Sequence, residues 1–82
     1  MATLGALGAE TGKFLSHANN TVFLQNGVQG TGEVWIIESQ PNNLVALACS
    51  GAETGKFLSH ANNSVFLQNG VQGAGEEWQI GN

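Results

Sequence analysis

The sequence GAETGKFLSHANNTVFLQNGVQGTGEVWII at residues 8–37 returns almost unchanged as GAETGKFLSHANNSVFLQNGVQGAGEEWQI at residues 51–80. Aligned at a spacing of 43 residues, 26 of the 30 positions match. A period of about 20 to 50 residues indicates a repeat architecture, in which neighbouring units bury each other's apolar faces and about three units are needed. The 82-residue chain is therefore one module, with repeat 1 at residues 1–43 and repeat 2 at residues 44–82. We expect other chains to complete it.

Length and cysteine content also favour assembly. A domain of this size buries only about 60% of the surface that its unfolded chain exposes, and small scaffolds usually need disulfides, a metal or oligomerisation. Cys49 is the only cysteine, which excludes an intrachain disulfide, and no Cys/His cluster has zinc spacing. Oligomerisation remains, and we expect a homo-oligomer, with a trimer favoured.

Charge excludes several classes of partner. The net charge is −4, and Lys13 and Lys56 are the only basic residues apart from histidine. No basic face is available for nucleic acid or for an anionic membrane, and no apolar run approaches the roughly 20 residues of a membrane span. Residues 1–8 lack the basic segment of a secretory signal, and the lone cysteine favours a reducing compartment. We expect a cytoplasmic protein, or a mature form whose leader has been removed.

Each repeat is predicted to contain four short strands. They are placed at 2–7, 13–16, 22–25 and 33–37 in repeat 1, and at 44–49, 56–59, 65–68 and 76–80 in repeat 2. Short β-rich runs punctuated by Gly and Asn are typical of an all-β sandwich or barrel. No stretch has the apolar period of a helix.

The last strand of each repeat indicates which face is buried. Val34 and Ile36 are exchanged for Glu77 and Gln79 in repeat 2, whereas Trp35/Trp78 and Ile37/Ile80 are retained. Because side chains alternate across a strand, the retained residues share one face. We predict that this face, with both tryptophans and both isoleucines, belongs to the core.

The order A-x-T-G-K-x-L, an Asn-rich turn, V-x-L-x-N-G and a final strand with Trp resembles the repeat of ricin B-type β-trefoil lectins. It is also similar to the fascin-like trefoil repeat, in which a G-K-Y/F-L-S segment precedes an Asn-rich turn and a V-x-L strand. The resemblance covers residues 2–38 and 44–80. It implies a β-trefoil-like fold of three repeats, so that three chains would complete two trefoils. A six-bladed propeller closed by three chains is the alternative, because a period of about 40–45 residues also suits a four-stranded blade.

The lectin resemblance implies carbohydrate binding, with departures from the family's pattern. The Q-x-W signature is replaced by Glu33-x-Trp35 and Glu76-x-Trp78. The family's sugar-binding Asp falls on Ser16 and Ser59, and its aromatic platform falls on Gln25 and Gln68. Hydroxyl and amide groups remain there, and they suit neutral polyhydroxylated ligands. The candidate carbohydrate-binding residues are Ser16, His17, Asn19, Asn20, Gln25, Asn26, Ser59, His60, Asn62, Asn63, Gln68 and Asn69.

Each candidate also has a structural interpretation. His17 and His60 are either sugar-binding or interchain metal-binding imidazoles, or exposed residues before a turn. The asparagines either bind sugar hydroxyls or serve turns that need the left-handed conformation. Cys49, in an apolar strand, is expected to be a buried, inert thiol.

The sequence has no motif that indicates catalysis. No nucleophile elbow or paired carboxylates are found, so we expect no enzyme, no cofactor and no metal site.

The leading hypothesis is a lectin-like module that binds a neutral glycan at each repeat and gains affinity through multivalency. One alternative is a symmetric structural or designed self-assembling protein without a ligand. The other is a fascin-like protein-interaction module.

Overall fold

A computed structural model of the protein describes residues 1–80. These residues contain six strands and five single turns of 3₁₀ helix, and they contain no α-helix. The predicted all-β class is therefore confirmed. No helix among them is long and apolar enough to cross a membrane. The strands are β1 (Lys13–Ala18), β2 (Thr21–Asn26), β3 (Trp35–Gln40), β4 (Leu44–Cys49), β5 (Lys56–Ala61) and β6 (Ser64–Asn69).

Each repeat contributes one tight antiparallel hairpin. In the β1–β2 hairpin Ala18 lies opposite Thr21, so Asn19 and Asn20 alone form the turn. Their φ angles are 51° and 62°, and a two-residue turn with positive φ at both positions matches the right-handed twist of the strands. Asparagine tolerates this conformation better than most residues. The β5–β6 hairpin repeats the register and the Asn-Asn turn.

A third hairpin joins the two repeats. Strands β3 and β4 pair along their whole length, with Trp35 opposite Cys49 and Gln40 opposite Leu44. A 3₁₀ turn at Pro41–Asn43 connects them. The result is a four-stranded sheet in the order β3-β4-β5-β6 beside the two-stranded β1–β2 sheet. The repeat boundary therefore lies within a sheet and not at a flexible linker.

The outermost predicted strands form only in part. Residues 2–7 make isolated bridges from Ala2 to Trp35 and from Gly5 to Phe14, and the predicted strand at 76–80 makes one bridge, from Trp78 to Val45. Strand β4, the counterpart of residues 2–7, is complete because β3 of the preceding repeat pairs with it. Among the described residues no strand pairs in this way with residues 2–7 or with the end of repeat 2.

The core is shared by both repeats. Its buried members are Trp35, Leu47, Cys49, Leu58 and Leu67, against which Leu4, Leu15, Val22, Val45 and Trp78 pack while remaining partly exposed. The prediction was right for Trp35, but it was wrong for the isoleucines. Ile37 and Ile80 are 44% and 60% exposed. At the outer edge of β3 the bridge to Ala2 is made by Trp35, and Ile37 lies two residues further along the strand, past this bridge.

Candidate functional site

The two repeats meet at a polar junction. The backbone N–H of Asn20, in the first hairpin turn, donates to Glu53 Oε1 of repeat 2 over 2.7 Å. Lys56 Nζ donates to Asn20 Oδ1 at 2.9 Å and lies 3.3 Å from Glu53 Oε2. The pKa of Glu53 is lowered, chiefly by the Asn20 N–H, with Lys56 adding to the effect and burial opposing it. Three side-chain and backbone groups thus hold the repeats in register.

Gly51 approaches the Thr31 side chain closely beside these hydrogen bonds. Gly51 has a φ of 68°, and a Cβ added there would lie 2.9 Å from Thr31 Cβ, closer than real Cβ contacts allow. The neighbouring Ser50 is buried, and its hydroxyl lies 3.0 Å from the carbonyl of Thr31 and 2.9 Å from that of Val34. The junction therefore needs glycine at position 51.

A cleft of about 350 Å³ opens at this junction. Its walls come from the end of β1, from the 3₁₀ turn at Thr31–Glu33 and from the segment that follows β4. Its lining residues are His17, Ala18, Asn19, Thr31, Gly32, Ser50, Ala52 and Glu53. No lysine or arginine is among them, and the one carboxylate already accepts a backbone N–H and pairs with Lys56. The cleft thus presents mainly neutral polar groups.

His17 is the most distinctive group in the cleft. Only 2% of it is exposed, and it packs edge-on against Trp35 with 4.7 Å between ring centroids. Its Nε2 lies 3.2 Å from the carbonyl oxygen of Val34, and a carbonyl only accepts, so Nε2 carries a proton. Nδ1 is buried and has no hydrogen-bond partner among the described residues. In the neutral ring Nδ1 is an acceptor, and the described residues supply no donor to it.

A buried carboxylate fixes the loop that supplies Thr31 and Gly32. Glu33 is 5% exposed, and its Oε1 accepts the N–H groups of Gln29 at 2.7 Å and Gly30 at 3.1 Å. The Gln29 N–H is the main cause that lowers the pKa of Glu33, while burial opposes it. Glu76 holds the equivalent loop in repeat 2 by the same bonds. The sequence placed both glutamates in strands, whereas they end 3₁₀ turns.

The structure brings only part of the predicted site together. His17 and Asn19 line the cleft. Ser16 and Ser59 are fully buried, and their hydroxyls donate to the carbonyls of Phe14 and Phe57.

The other predicted residues lie elsewhere. Asn20 contacts repeat 2 beside the cleft. Gln25 and Asn26 lie at the opposite end of their hairpin, where Asn26 pairs with Lys13, and Gln68 and Asn69 occupy the same places in repeat 2.

The equivalent site in repeat 2 is formed on one side only, by the residues that correspond to the repeat 1 side of the cleft. His60 keeps its contacts, since Nε2 lies 3.1 Å from the carbonyl of Glu77 and the ring packs against Trp78 at 4.8 Å. His60 is nevertheless exposed, because nothing among the described residues covers it as repeat 2 covers His17. The interpretation of the histidines as exposed residues before a turn thus holds for His60 and is wrong for His17.

Sequence reasoning missed Thr31, Gly32, Ser50, Ala52 and Glu53. They become neighbours of His17 only because repeat 2 folds back onto repeat 1. The available signal was the retained Gly-Ala-Glu segment, which recurs at residues 8–10 and 51–53.

Thiol and metal chemistry have little support at this site. Cys49 is buried, and burial is the main cause that raises the pKa of its thiol to about 11, so the thiolate needed for nucleophilic chemistry is scarce at neutral pH. Within residues 1–80, no group of three or more His, Cys, Asp or Glu side chains is placed to hold a metal ion.

A scan against protein-family models finds no match, and a search of curated proteins finds no significantly similar sequence.

Proposed function

We propose that the protein is a lectin-like module that binds a neutral glycan in the cleft between repeats and gains affinity by presenting several clefts in one assembly. The observation that carries the proposal is His17, which lines the cleft and whose buried Nδ1 has no hydrogen-bond partner among the described residues. A buried polar atom without a hydrogen bond costs about 1–3 kcal/mol. A ligand hydroxyl that donates to Nδ1 would recover part of that free energy.

The other groups in the cleft favour the same class of ligand. Asn19 supplies an amide and Thr31 a hydroxyl, and both residues are exposed. Groups of this kind donate and accept hydrogen bonds without net charge. The volume of about 350 Å³ is at the small end of the range for ligand pockets, which suits a single sugar ring.

Weak binding at each cleft follows from what the lining lacks. Sugars usually gain affinity by stacking on aromatic rings, and neither Trp nor Phe is among the lining residues. Trp35 is fully buried beneath His17, and its Nε1 donates to the carbonyl of Leu15 at 3.0 Å. Useful avidity therefore needs several clefts in one particle, because linked sites raise the effective concentration of the second binding event.

The pairing of the strands supports a trefoil-like arrangement for that particle. Trp35 pairs with Ala2 of its own repeat and with Cys49 of the next repeat. The β1–β2 and β5–β6 hairpins lie outside this pairing, at equivalent places in the two repeats. A barrel built from such shared strands closes when further repeats pair with the free ends. In the proposal, chains of the same kind supply those repeats.

The test is binding of neutral monosaccharides, first on a glycan array and then by NMR titration at millimolar concentration. His17→Phe removes the Nδ1 acceptor and keeps a ring against Trp35. In this variant the carbonyl of Val34 loses the N–H of His17 but still has the Ser50 hydroxyl as a donor at 2.9 Å. We expect His17→Phe to abolish binding at the cleft within the chain. His60→Phe, at the one-walled copy, is the matched control and should leave that cleft unaffected. The proposal fails if no neutral sugar binds, or if His17→Phe binds as the wild type does.

A second candidate function is structural self-assembly without a ligand. It is favoured by the exposure of residues at both ends of the chain whose counterparts are buried at the junction. An assembly that forms normally and binds no glycan would support this alternative.

A further inference from the structure

Several positions of the junction occur twice in the chain, once covered and once free. Leu67 is 7% exposed and its counterpart Leu24 is 46% exposed. Ser50 is 8% exposed and its counterpart Leu7 is 87% exposed. On the other side of the junction His17 is buried, whereas His60 is exposed. For Leu24 and His60, which are identical to their counterparts, the exposure therefore reports a missing neighbour and not a different kind of residue.

The free surface of repeat 1 has the groups that make the junction in repeat 2. We name it the head surface, formed by Leu7, Gly8, Glu10 and Lys13. Glu10 and Lys13 lie 2.8 Å apart with side chains 51% and 42% exposed. Glu53 and Lys56 are 12% and 28% exposed. Glu53 also accepts the N–H of Asn20, and no such bond to Glu10 is found among the described residues.

The free surface of repeat 2 has the matching half. We name it the tail surface, formed by His60, Ala61, Asn63 and Ala74; His60 and Ala61 are exposed, whereas their counterparts His17 and Ala18 are not. Asn63 has a φ of 65°, against 62° for Asn20, so its N–H is presented by the same turn. Beside it Val65 is 52% exposed. The head surface and the tail surface thus correspond to the two sides of one junction, and they lie in different repeats of the chain.

The exchanges between repeats are compatible with a junction between chains. At the inner junction Thr31 faces Gly51, and Ser50 lies beside the Thr31 carbonyl. In a contact between the head surface of one copy and the tail surface of another, Ala74 takes the place of Thr31 and Leu7 takes the place of Ser50. The smaller alanine leaves room for the larger leucine, and the lost serine hydrogen bond is replaced by burial of an exposed side chain. A buried leucine contributes roughly 1.5–3 kcal/mol.

We infer that a second copy of this chain docks its head surface on the tail surface, so that Glu10 accepts the Asn63 N–H and Lys13 donates to Asn63 Oδ1. Ala9 and Glu10 of that copy then form the missing wall opposite His60, as Ala52 and Glu53 do opposite His17. The second cleft is therefore composite and is incomplete without the other chain. The glycan that it takes rests on the proposed function, whereas the association rests on the repeated geometry alone.

The test uses two glycines with the same conformation. Gly8 and Gly27 both have a φ of 71°, and a Cβ on either would meet nothing within 4 Å. Asparagine tolerates this φ, so both substitutions are compatible with the isolated chain. In the docked copy, however, a side chain at Gly8 meets Ala74 as a side chain at Gly51 would meet Thr31. Gly8→Asn should block association, and Gly27→Asn is its matched control.

The readout is mass by light scattering over a range of protein concentrations. Wild type and Gly27→Asn should form an oligomer, with a trimer of about three times 8.5 kDa expected. Gly8→Asn should remain near 8.5 kDa with an unchanged circular dichroism spectrum. Leu7→Asp is the second variant, because it places a carboxylate against the Ala74 and Glu77 carbonyls in the docked pair while staying in solvent in the monomer. A monomeric wild type, or Gly8→Asn and Leu7→Asp proteins that assemble normally, would overturn the inference.

A sugar titration of the same proteins separates this inference from the proposed function. The number of sugar sites per chain should fall on passing from the wild-type assembly to the Gly8→Asn monomer, because only the His17 cleft remains. If no protein binds a sugar while the masses still differ as expected, the proposed function fails and the docking stands. If the monomer keeps as many sites per chain as the assembly, the composite cleft is wrong.

Discussion

Leu24 and Leu67 offer a direct measure of what a covered junction contributes. They occupy the same place in strands β2 and β6, but 46% of Leu24 is exposed against 7% of Leu67. Truncation of a buried leucine to alanine costs about 2–5 kcal/mol, including the cavity left behind. We therefore expect Leu67→Ala to lower the free energy of unfolding by about 3 kcal/mol. Leu24→Ala should lower it by roughly half as much, since about half of its surface is already in water.

The difference between the two variants is about 1.5 kcal/mol, or roughly tenfold in the folding equilibrium. It should appear in urea unfolding followed by tryptophan fluorescence, and as a gap of about 6–12 °C in Tm for a chain of this size. Both substitutions are made in the Gly8→Asn background, which keeps the chain monomeric in our proposal. At assembling concentrations in the wild-type background the gap should shrink, because a second copy then covers Leu24.

The result that refutes this reasoning is an equal loss of stability for both variants in the dilute monomer. Equal losses would mean that the exposure of Leu24 does not reflect a missing neighbour. The free surfaces of the chain would then be ordinary surface, and the argument for a docked second copy would lose its energetic basis.

Two further predictions concern the junction and its carboxylates. Acidification should destabilise the fold. The pKa values of Glu33, Glu53 and Glu76 are lowered from 4.5. The stability that these carboxylates contribute is therefore fully present above pH 4.5 and is lost as the pH falls through the lowered values. Urea midpoints measured from pH 7 to pH 3 test this, and a midpoint that rises on acidification would contradict it. Asn20→Ala should destabilise by about 1–2 kcal/mol through the left-handed backbone and further through loss of the Oδ1 acceptor for Lys56, while the backbone N–H that donates to Glu53 is kept. Asn63→Ala in the monomer should show the backbone part alone. Equal losses in thermal unfolding would show that the bond from Lys56 to Asn20 adds nothing.

Local rules were enough to predict the hairpins. The Asn-Asn pairs at 19–20 and 62–63 adopt the left-handed turn that two-residue hairpins need, and the apolar runs on either side became β1, β2, β5 and β6. The strand at 44–49 was also predicted with its observed bounds. These features depend on neighbours in sequence, whose conformational preferences are known in advance.

The cleft depends on contacts that sequence order does not reveal. Glu53 reaches Asn20 across 33 residues, and Ser50 reaches Thr31 across 19 residues. Both contacts follow from the way in which β4 pairs with β3, which sets repeat 2 against the first hairpin. The twelve predicted site residues were chosen by their place within one repeat. For that reason they include Gln25 and Asn26, at the far end of the hairpin, and omit the residues that repeat 2 contributes.

Two exchanges between the repeats fit this picture of one covered and one free junction. Thr31, which lines the cleft and faces Gly51, corresponds to Ala74, and Ser50 of the inner junction corresponds to Leu7 at the head. The inner junction is held within one chain, where the effective concentration of its partners is high. A junction between two chains must in addition overcome the loss of translational and rotational freedom on association. Exchanging Ser50 and Thr31 for Leu7 and Ala74 replaces a buried hydrogen bond with apolar burial. Apolar burial is the more dependable source of free energy for association, because it does not depend on the precise geometry that the inner hydroxyl has.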